Sequence, residues 1–186
     1  MRTLIGGVAV CLAALTLAAC GDDRTETPDS EAAMAPASAT LAEVLEGGDH
    51  DRLSAVVANA GLDGVLDGVG PYTVFAPTDP AFGADVDFSD EAMSAQAAAL
   101  LRAHIVPGAI TRADLRAAID DAGADGAQMR TMADTLLTFR RDGEAITVSA
   151  DGGPTARLSG AEDIATNGVV QPVDAMLVAP EPAGAA

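Results

Sequence analysis

Apolar positions along this chain change their spacing twice. Residues 4–19 form an apolar run without a charged side chain. From residue 40 apolar positions recur at helical intervals, and from about residue 130 they alternate. Thr40-Leu41-Ala42-Glu43 has the spacing of a capping box, in which the two side chains each satisfy an orphan backbone N–H. Leu41, Val44 and Leu45 follow at i, i+3 and i+4, so a short helix is predicted up to Gly47-Gly48. A second helix is predicted from about Asp51, with Leu53, Val56, Val57 and Ala60 on one face and Gly61 closing it; Val65 and Leu66 suggest a further turn. Tyr72-Thr73-Val74-Phe75-Ala76, bounded by Gly70-Pro71 and Pro77, predicts a short strand. Asp79-Pro80 fits an N-cap followed by proline at the first helical position, so Asp79 is expected to cap a helical turn that buries Phe82. Ser89-Asp90-Glu91 opens the longest predicted helix, with Met93, Ala97, Leu100, Leu101, His104 and Ile105 on one face and Pro107-Gly108 as its stop. Thr111-Arg112-Ala113-Asp114 caps another segment through Ile119.

In the second half, Leu137 and Phe139 precede Asp142-Gly143, and Ile146 and Val148 follow, which predicts a hairpin turning at Asp142-Gly143. Asp151-Gly152-Gly153-Pro154 makes a second turn and Asn167-Gly168 a third. Pro172 interrupts the last apolar run, which argues for a sheet edge or a bulge there. Helices dominate the first half and strands the second, so the fold class is α+β, in one domain over residues 40–180. Residues 181–186 read as a flexible tail.

The first apolar run has a different meaning. It follows a single positive charge, Arg2, and ends in small residues, the pattern of a signal peptide over residues 1–19. Leu17-Ala18-Ala19-Cys20 resembles the bacterial lipobox, and that resemblance implies cleavage before Cys20 and lipid on its thiol and new amino group. Residues 20–39 then form a lipidated cysteine and a disordered acidic tether. The expected location is the bacterial cell envelope, as an exported lipoprotein facing the periplasm or the cell surface. Cys11 lies in the removed run, so no thiol remains for a disulfide, a nucleophile or a metal.

Charge narrows the partners. The 186 residues carry 28 acidic and 10 basic side chains, a net charge of −18, and every basic one is arginine. Such a surface repels nucleic acid, whose binding depends on basic side chains neutralising phosphates. It also repels anionic headgroups, so the membrane is met through the lipid anchor only. No Gly-x-Ser-x-Gly, dinucleotide-binding or phosphate-binding pattern occurs, and nothing asks for a cofactor or a metal. Asp121-Ala122-Gly123-Ala124-Asp125-Gly126 approaches a calcium loop but holds Gly123 at the third position and Met132 where the bidentate glutamate belongs, and is read as an exposed turn. His50, in Asp49-His50-Asp51, is read as a residue of a mobile loop between two helices. His104, on an apolar helix face, is read as a buried histidine donating to a backbone carbonyl. Thr78, Asp79, Asn167 and Gly168 are read as turn chemistry.

Three segments together resemble the fasciclin (FAS1) domain: Gly70-Pro71-Tyr72-Thr73-Val74-Phe75-Ala76-Pro77-Thr78-Asp79-Pro80-Ala81-Phe82, then Leu100-Leu101-Arg102-Ala103-His104-Ile105-Val106-Pro107-Gly108, then Asp163-Ile164-Ala165-Thr166-Asn167-Gly168-Val169-Val170-Gln171-Pro172-Val173-Asp174-Ala175-Met176-Leu177. Ala103 stands where that family commonly has Tyr, Gln171 where it commonly has His, and Pro172 where an apolar strand residue is usual. The resemblance implies a wedge of β-strands with helices packed along it, no shared catalytic residues, and a role in adhesion or in binding an unknown protein or glycan on the cell surface or matrix. It implies contacts at Gln171, Val173 and Asp174, and at Val106 and Pro107. A periplasmic enzyme or ligand carrier with a carboxylate-lined cleft, or an envelope-structural protein, is the alternative. Protein extracted from membranes is expected to begin at Cys20 and to carry added acyl mass in intact-mass spectra; a chain beginning at Cys20 without that mass would remove the anchor.

Overall fold

A computed structural model describes residues 37–48, 50–82 and 93–179, all within one compact unit, Ala35–Ala186. The expected signal peptide, Cys20, most of the expected tether, the expected helix opening at residues 89–91 and the expected tail lie outside the described residues. Five helices are described: α1 (Leu41–Gly47), α2 (Asp51–Ala60), α3 (Asp63–Leu66), α4 (Ser94–Ala103) and α5 (Arg112–Ala122). Eight strands form two sheets: β1 (Tyr72–Pro77), β2 (Ile105–Pro107), β7 (Asp163–Ala165) and β8 (Gly168–Val173) in one, and β3 (Ala127–Arg130), β4 (Leu136–Asp142), β5 (Ala145–Ala150) and β6 (Thr155–Arg157) in the other.

The first sheet has the order β2-β1-β8-β7, with β1 and β8 parallel and in register from Tyr72 with Gly168 to Pro77 with Val173. The second is an antiparallel meander. The sheets are stitched at both sides. On one side Met132 N–H donates to Ile105 O (2.8 Å) and Ala133 N–H to Arg102 O (3.2 Å). On the other Ser159 N–H donates to Pro172 O (2.8 Å), Asp174 N–H to Arg157 O (3.0 Å), and Leu158 bridges Val173. Two apolar clusters result. Helices α1, α2 and α4 cover one face of the first sheet through Leu41, Leu53 and Leu101, against Val74 and Val170. The other face packs on the meander through Phe75 and Phe139, whose ring centroids lie 5.2 Å apart. With both faces covered, β1 and β8 read as near-continuous apolar runs instead of alternating ones.

Local chemistry sets most helix ends. Both capping boxes form: Thr40 with Glu43 on α1, and Thr111 with Asp114 on α5. Gly61 closes α2 at φ 63°, where a left-handed residue satisfies the last carbonyls. The start of α2 is different. His50 sits at its N-cap but makes no side-chain cap. Asp79, which begins a 3₁₀ turn over Asp79–Phe82, supplies it from a distance: its Oδ1 accepts from Arg52 N–H at 3.0 Å. This corrects the expectation that Asp79 caps its own turn. Pro80 has no N–H to offer and Ala81 N–H is already bonded to Thr78 O (2.8 Å), which leaves the carboxylate for α2.

Three further expectations shift. Pro172 lies in an internal strand, not an edge. Val173 O faces β1, accepting from Thr78 N–H (3.0 Å), so Pro172 faces the opposite flank, beyond the first residue of β7, Asp163, where no ladder N–H is required. The β4–β5 turn is Gly143-Glu144, because Asp142 pairs with Ala145. The β7–β8 turn is Thr166-Asn167, because Gly168 belongs to the strand and pairs with both Ala165 and Tyr72. Replacing Asp79 by Ala is expected to cost about 1 kcal/mol, the worth of a helix cap. It should appear as a lower urea midpoint at unchanged slope, with Asp79→Asn recovering most of the loss.

Candidate functional site

His104 closes α4 and is fully buried. Its Nδ1–H donates to Leu100 O (2.8 Å) and its Nε2 accepts from Leu177 N–H (3.0 Å). Its backbone carbonyl accepts from Phe75 N–H (2.9 Å). The residue therefore joins α4, β1 and the C-terminal segment, with its imidazole as a neutral tautomer. Burial lowers its pKa to about 4, against a smaller opposing pull from the Leu100 carbonyl. His50 is also buried, with Nδ1 3.3 Å from Pro77 O, and so sits on no exposed loop. Among the described residues no group of three or more His, Cys, Asp or Glu is placed to hold a metal ion.

Gln171 has no exposed surface. Its Nε2 donates to Ile110 O (3.1 Å) and Glu162 Oε2 (2.8 Å), and its Oε1 accepts from Arg112 Nε–H (3.1 Å). Arg112 spends its other donors on Ser159 O and Gly160 O, both at 2.7 Å, and its backbone N–H on Glu162 Oε2 (2.7 Å). Burial pulls the Arg112 pKa down, and the charge of Glu162 opposes it. Beside this network Thr73 Oγ1 donates to Gly108 O (2.6 Å) and accepts from Ile110 N–H (2.8 Å). Together they fasten the 108–111 loop and the 158–162 segment to the first sheet. The expectation that Gln171 meets a partner directly is corrected by this burial: it braces the loop from beneath. Val173 and Val106 are likewise buried in the core. Asp174 is exposed, but its Oδ1 accepts from Arg157 N–H (2.7 Å) at the sheet seam. Pro107 is exposed, paired opposite Tyr72 at the end of β2.

Asn167 ties three segments to one hairpin. Its Nδ2 donates to Leu66 O (2.6 Å) and Gly68 O (3.0 Å), its Oδ1 accepts from Leu41 N–H (2.9 Å), and its backbone carbonyl accepts from Tyr72 N–H (3.1 Å). Gly168 and Gly70 are required by close approach: a Cβ at Gly168 would overlap Tyr72 O, and one at Gly70 would overlap Asn167 O.

These braces surround a cleft of about 490 Å³ at this end of the first sheet. It is lined by Val69 and Pro71, by Ala109 and Thr111, and by the β7–β8 hairpin through Ile164 and Asn167. None of its described lining residues is charged. Val69 is 97% exposed, the most exposed large apolar side chain described, and Pro71, Pro107 and Ala109 are exposed close by. Ligand pockets run to roughly 300–1,000 Å³, and this cleft falls in that range. A cleft of about 210 Å³ between α4 and residues 133–135 falls below it. So does one of about 50 Å³ between α1 and α2, which holds the carboxylates Glu46 and Asp63. Val69 and Ile164 were not singled out as contacts by sequence, whereas Ala109 lies in the 105–110 segment that was. The available signal was Val69 alone between Gly68 and Gly70, an apolar residue with no periodic partner to bury it.

A model of the fasciclin domain matches residues 48–179. Protein sll1483 of Synechocystis sp. is 28% identical over 165 residues, covering 83% of this chain and 84% of that protein. The solved structure of a FAS1 domain pair from the insect cell adhesion molecule fasciclin I superposes with a TM-score of 0.57 at 23% identity. That match covers 71% of this chain and 46% of the other, so this chain spans about half the length of the pair.

The buried imidazole makes a pH prediction. The folded state holds His104 near pKa 4, against 6.5 in the unfolded chain. The neutral ring's contribution is therefore complete above pH 6.5 and is lost as the pH falls toward 4. The loss amounts to about 3 kcal/mol at 1.36 kcal/mol per unit. Urea unfolding of the native chain and of His104→Gln at pH 7 and pH 4 isolates this from the carboxylates: the stability difference between the two proteins should shrink by about that amount at the lower pH.

Proposed function

The chain belongs to the fasciclin domain family, and on that premise we propose that it is a non-enzymatic binding module. It is held at a membrane of the bacterial cell envelope by lipid on Cys20 and meets a protein or glycan through the cleft beside Val69. The supporting observation is that cleft: uncharged in its lining, within a chain of net charge −18, with an exposed apolar rim of Val69, Pro71 and Ala109. Apolar side chains left exposed together are a marker of an interaction surface. Thr73, Gln171 and Asn167 hold the walls by hydrogen bonds to backbone, so little order has to be gained on binding. The tether lets the domain reach away from the bilayer, and its acidic surface leaves the acyl chains as the means of attachment.

An enzyme with a carboxylate-lined cleft has less support, since the described cleft that holds two carboxylates offers about 50 Å³. Fasciclin I is a cell adhesion molecule, and the adhesive role is carried to this chain as part of the proposal. Val69→Asp puts a charge on the rim without touching the core. It is expected to reduce retention of envelope proteins or glycans on the immobilised full chain by about tenfold, or 1.4 kcal/mol, at an unchanged melting temperature. Equal retention by the variant would remove the cleft from the proposal.

A further inference from the structure

Asn167 and Gly168 are each dictated by packing, for unrelated reasons. At position 168 a Cβ would overlap the Tyr72 carbonyl oxygen and would press on Leu41 Cδ1 at 2.8 Å, so only glycine fits. At position 167 the surroundings demand an acceptor for Leu41 N–H and donors for both Leu66 O and Gly68 O. An amide supplies all of these, whereas a carboxylate supplies no donor. The two demands set side by side an amide and a residue with no side chain to shield its backbone nitrogen. In an open chain that pairing favours attack of the nitrogen on the amide carbon.

We propose that Asn167-Gly168 is a self-modification site that the fold holds shut and that opening of the β7–β8 hairpin releases. In the open hairpin the Gly168 nitrogen bonds to Asn167 Cγ, its proton passes through water to the departing amide, and the Cγ–Nδ2 bond breaks with loss of ammonia. The resulting five-membered succinimide takes up one water at either carbonyl and opens to aspartate or isoaspartate. No oxidant or reductant takes part.

In the folded protein this path is blocked. The Asn167 amide makes three hydrogen bonds between 2.6 and 3.0 Å, and all must break before Cγ can turn toward Gly168. The peptide that carries the attacking nitrogen is itself fixed, because its carbonyl accepts from Tyr72 N–H (3.1 Å). After conversion the hairpin cannot return to the same seat. Aspartate would set a charged acceptor against two carbonyl oxygens at a half-buried position, a mismatch that costs more than the lost bonds alone. Isoaspartate would lengthen the backbone and displace β8 from β1. Either product also brings a negative charge to the cleft lining. A transient opening is thereby converted into a permanent one. This rests on the packing of the hairpin and stands whether or not the cleft binds a partner.

The chain holds its own reference. Its other asparagine, Asn59, lies in α2 and is followed by Ala60, whose methyl group shields the nitrogen. The full chain is incubated at mildly alkaline pH across its urea transition, and conversion at each asparagine is followed by peptide mapping with mass spectrometry. Conversion at Asn167 is expected to track the unfolded fraction, to run at least about tenfold slower in native buffer than in urea, and to exceed conversion at Asn59 in urea. The preformed product, Asn167→Asp, is expected to melt lower or fail to fold. Equal rates at Asn167 in native buffer and urea would overturn the proposal. So would equal rates at the two asparagines in urea, or an Asn167→Asp chain as stable as the native one.

Discussion

The parallel pairing of β1 with β8 is the constraint on which the rest of this structure depends. It joins Tyr72–Pro77 to Gly168–Val173 across most of the described sequence. Both strands are buried on both faces, so every other element is placed by which face it covers. The helices α1, α2 and α4 take one face and the meander takes the other. Such a pairing cannot form until the chain between has been brought round, and the entropy of that closure is met before its contacts are gained. The side chains that guard the pair are accordingly those that join distant segments: Asn167 at its start, Gln171 in its middle, and His104 behind Phe75.

Buried polar groups carry the link from core to surface. Thr73, His104 and Gln171 all have no exposed area, and each spends its polar atoms on backbone or, for Gln171, also on the half-buried Arg112 and Glu162. An unpaired group at any of these positions would cost its full desolvation, so these bonds specify one arrangement of the surrounding loops. The 108–111 loop is the clearest case. Thr73 grips Gly108 and Ile110, and Gln171 grips Ile110 from the neighbouring strand. The exposed Ala109 is thus carried on a short bridge between fixed points. A surface site made of small apolar residues can be well defined in this way although none of those residues defines it.

What could be read from the sequence was the chemistry that closes within a few residues. The capping boxes at Thr40 and Thr111, the left-handed Gly61, the β4–β5 hairpin and the α+β order are local, and neighbours in sequence suffice to specify them. Asp79 was legible as a cap but not as a cap for α2, because the donor it serves lies 27 positions earlier. Pro172 was legible as a residue that cannot donate, but not as one whose silent flank lies beyond the first residue of β7. Gln171 stood out at a position that resembles a contact in related domains, yet its place inside the sheet depends on Arg112 and Glu162, which no local pattern connects to it. The cleft was the least legible, since its walls come from three segments that only the β1–β8 register brings together.

The acidity of the chain makes an exposed apolar cleft tolerable. A second copy approaching it brings another net charge of −18, and like charges of that size keep copies apart at the distances where apolar contact would begin. Exposure of Val69 therefore carries less risk of self-association here than on a neutral domain. The same repulsion favours partners that are neutral or cationic. In the proposed function charge acts as a filter and the uncharged lining as the contact. The division of labour works only while the walls hold their positions, which returns the weight to Asn167 and to the strand pair it anchors.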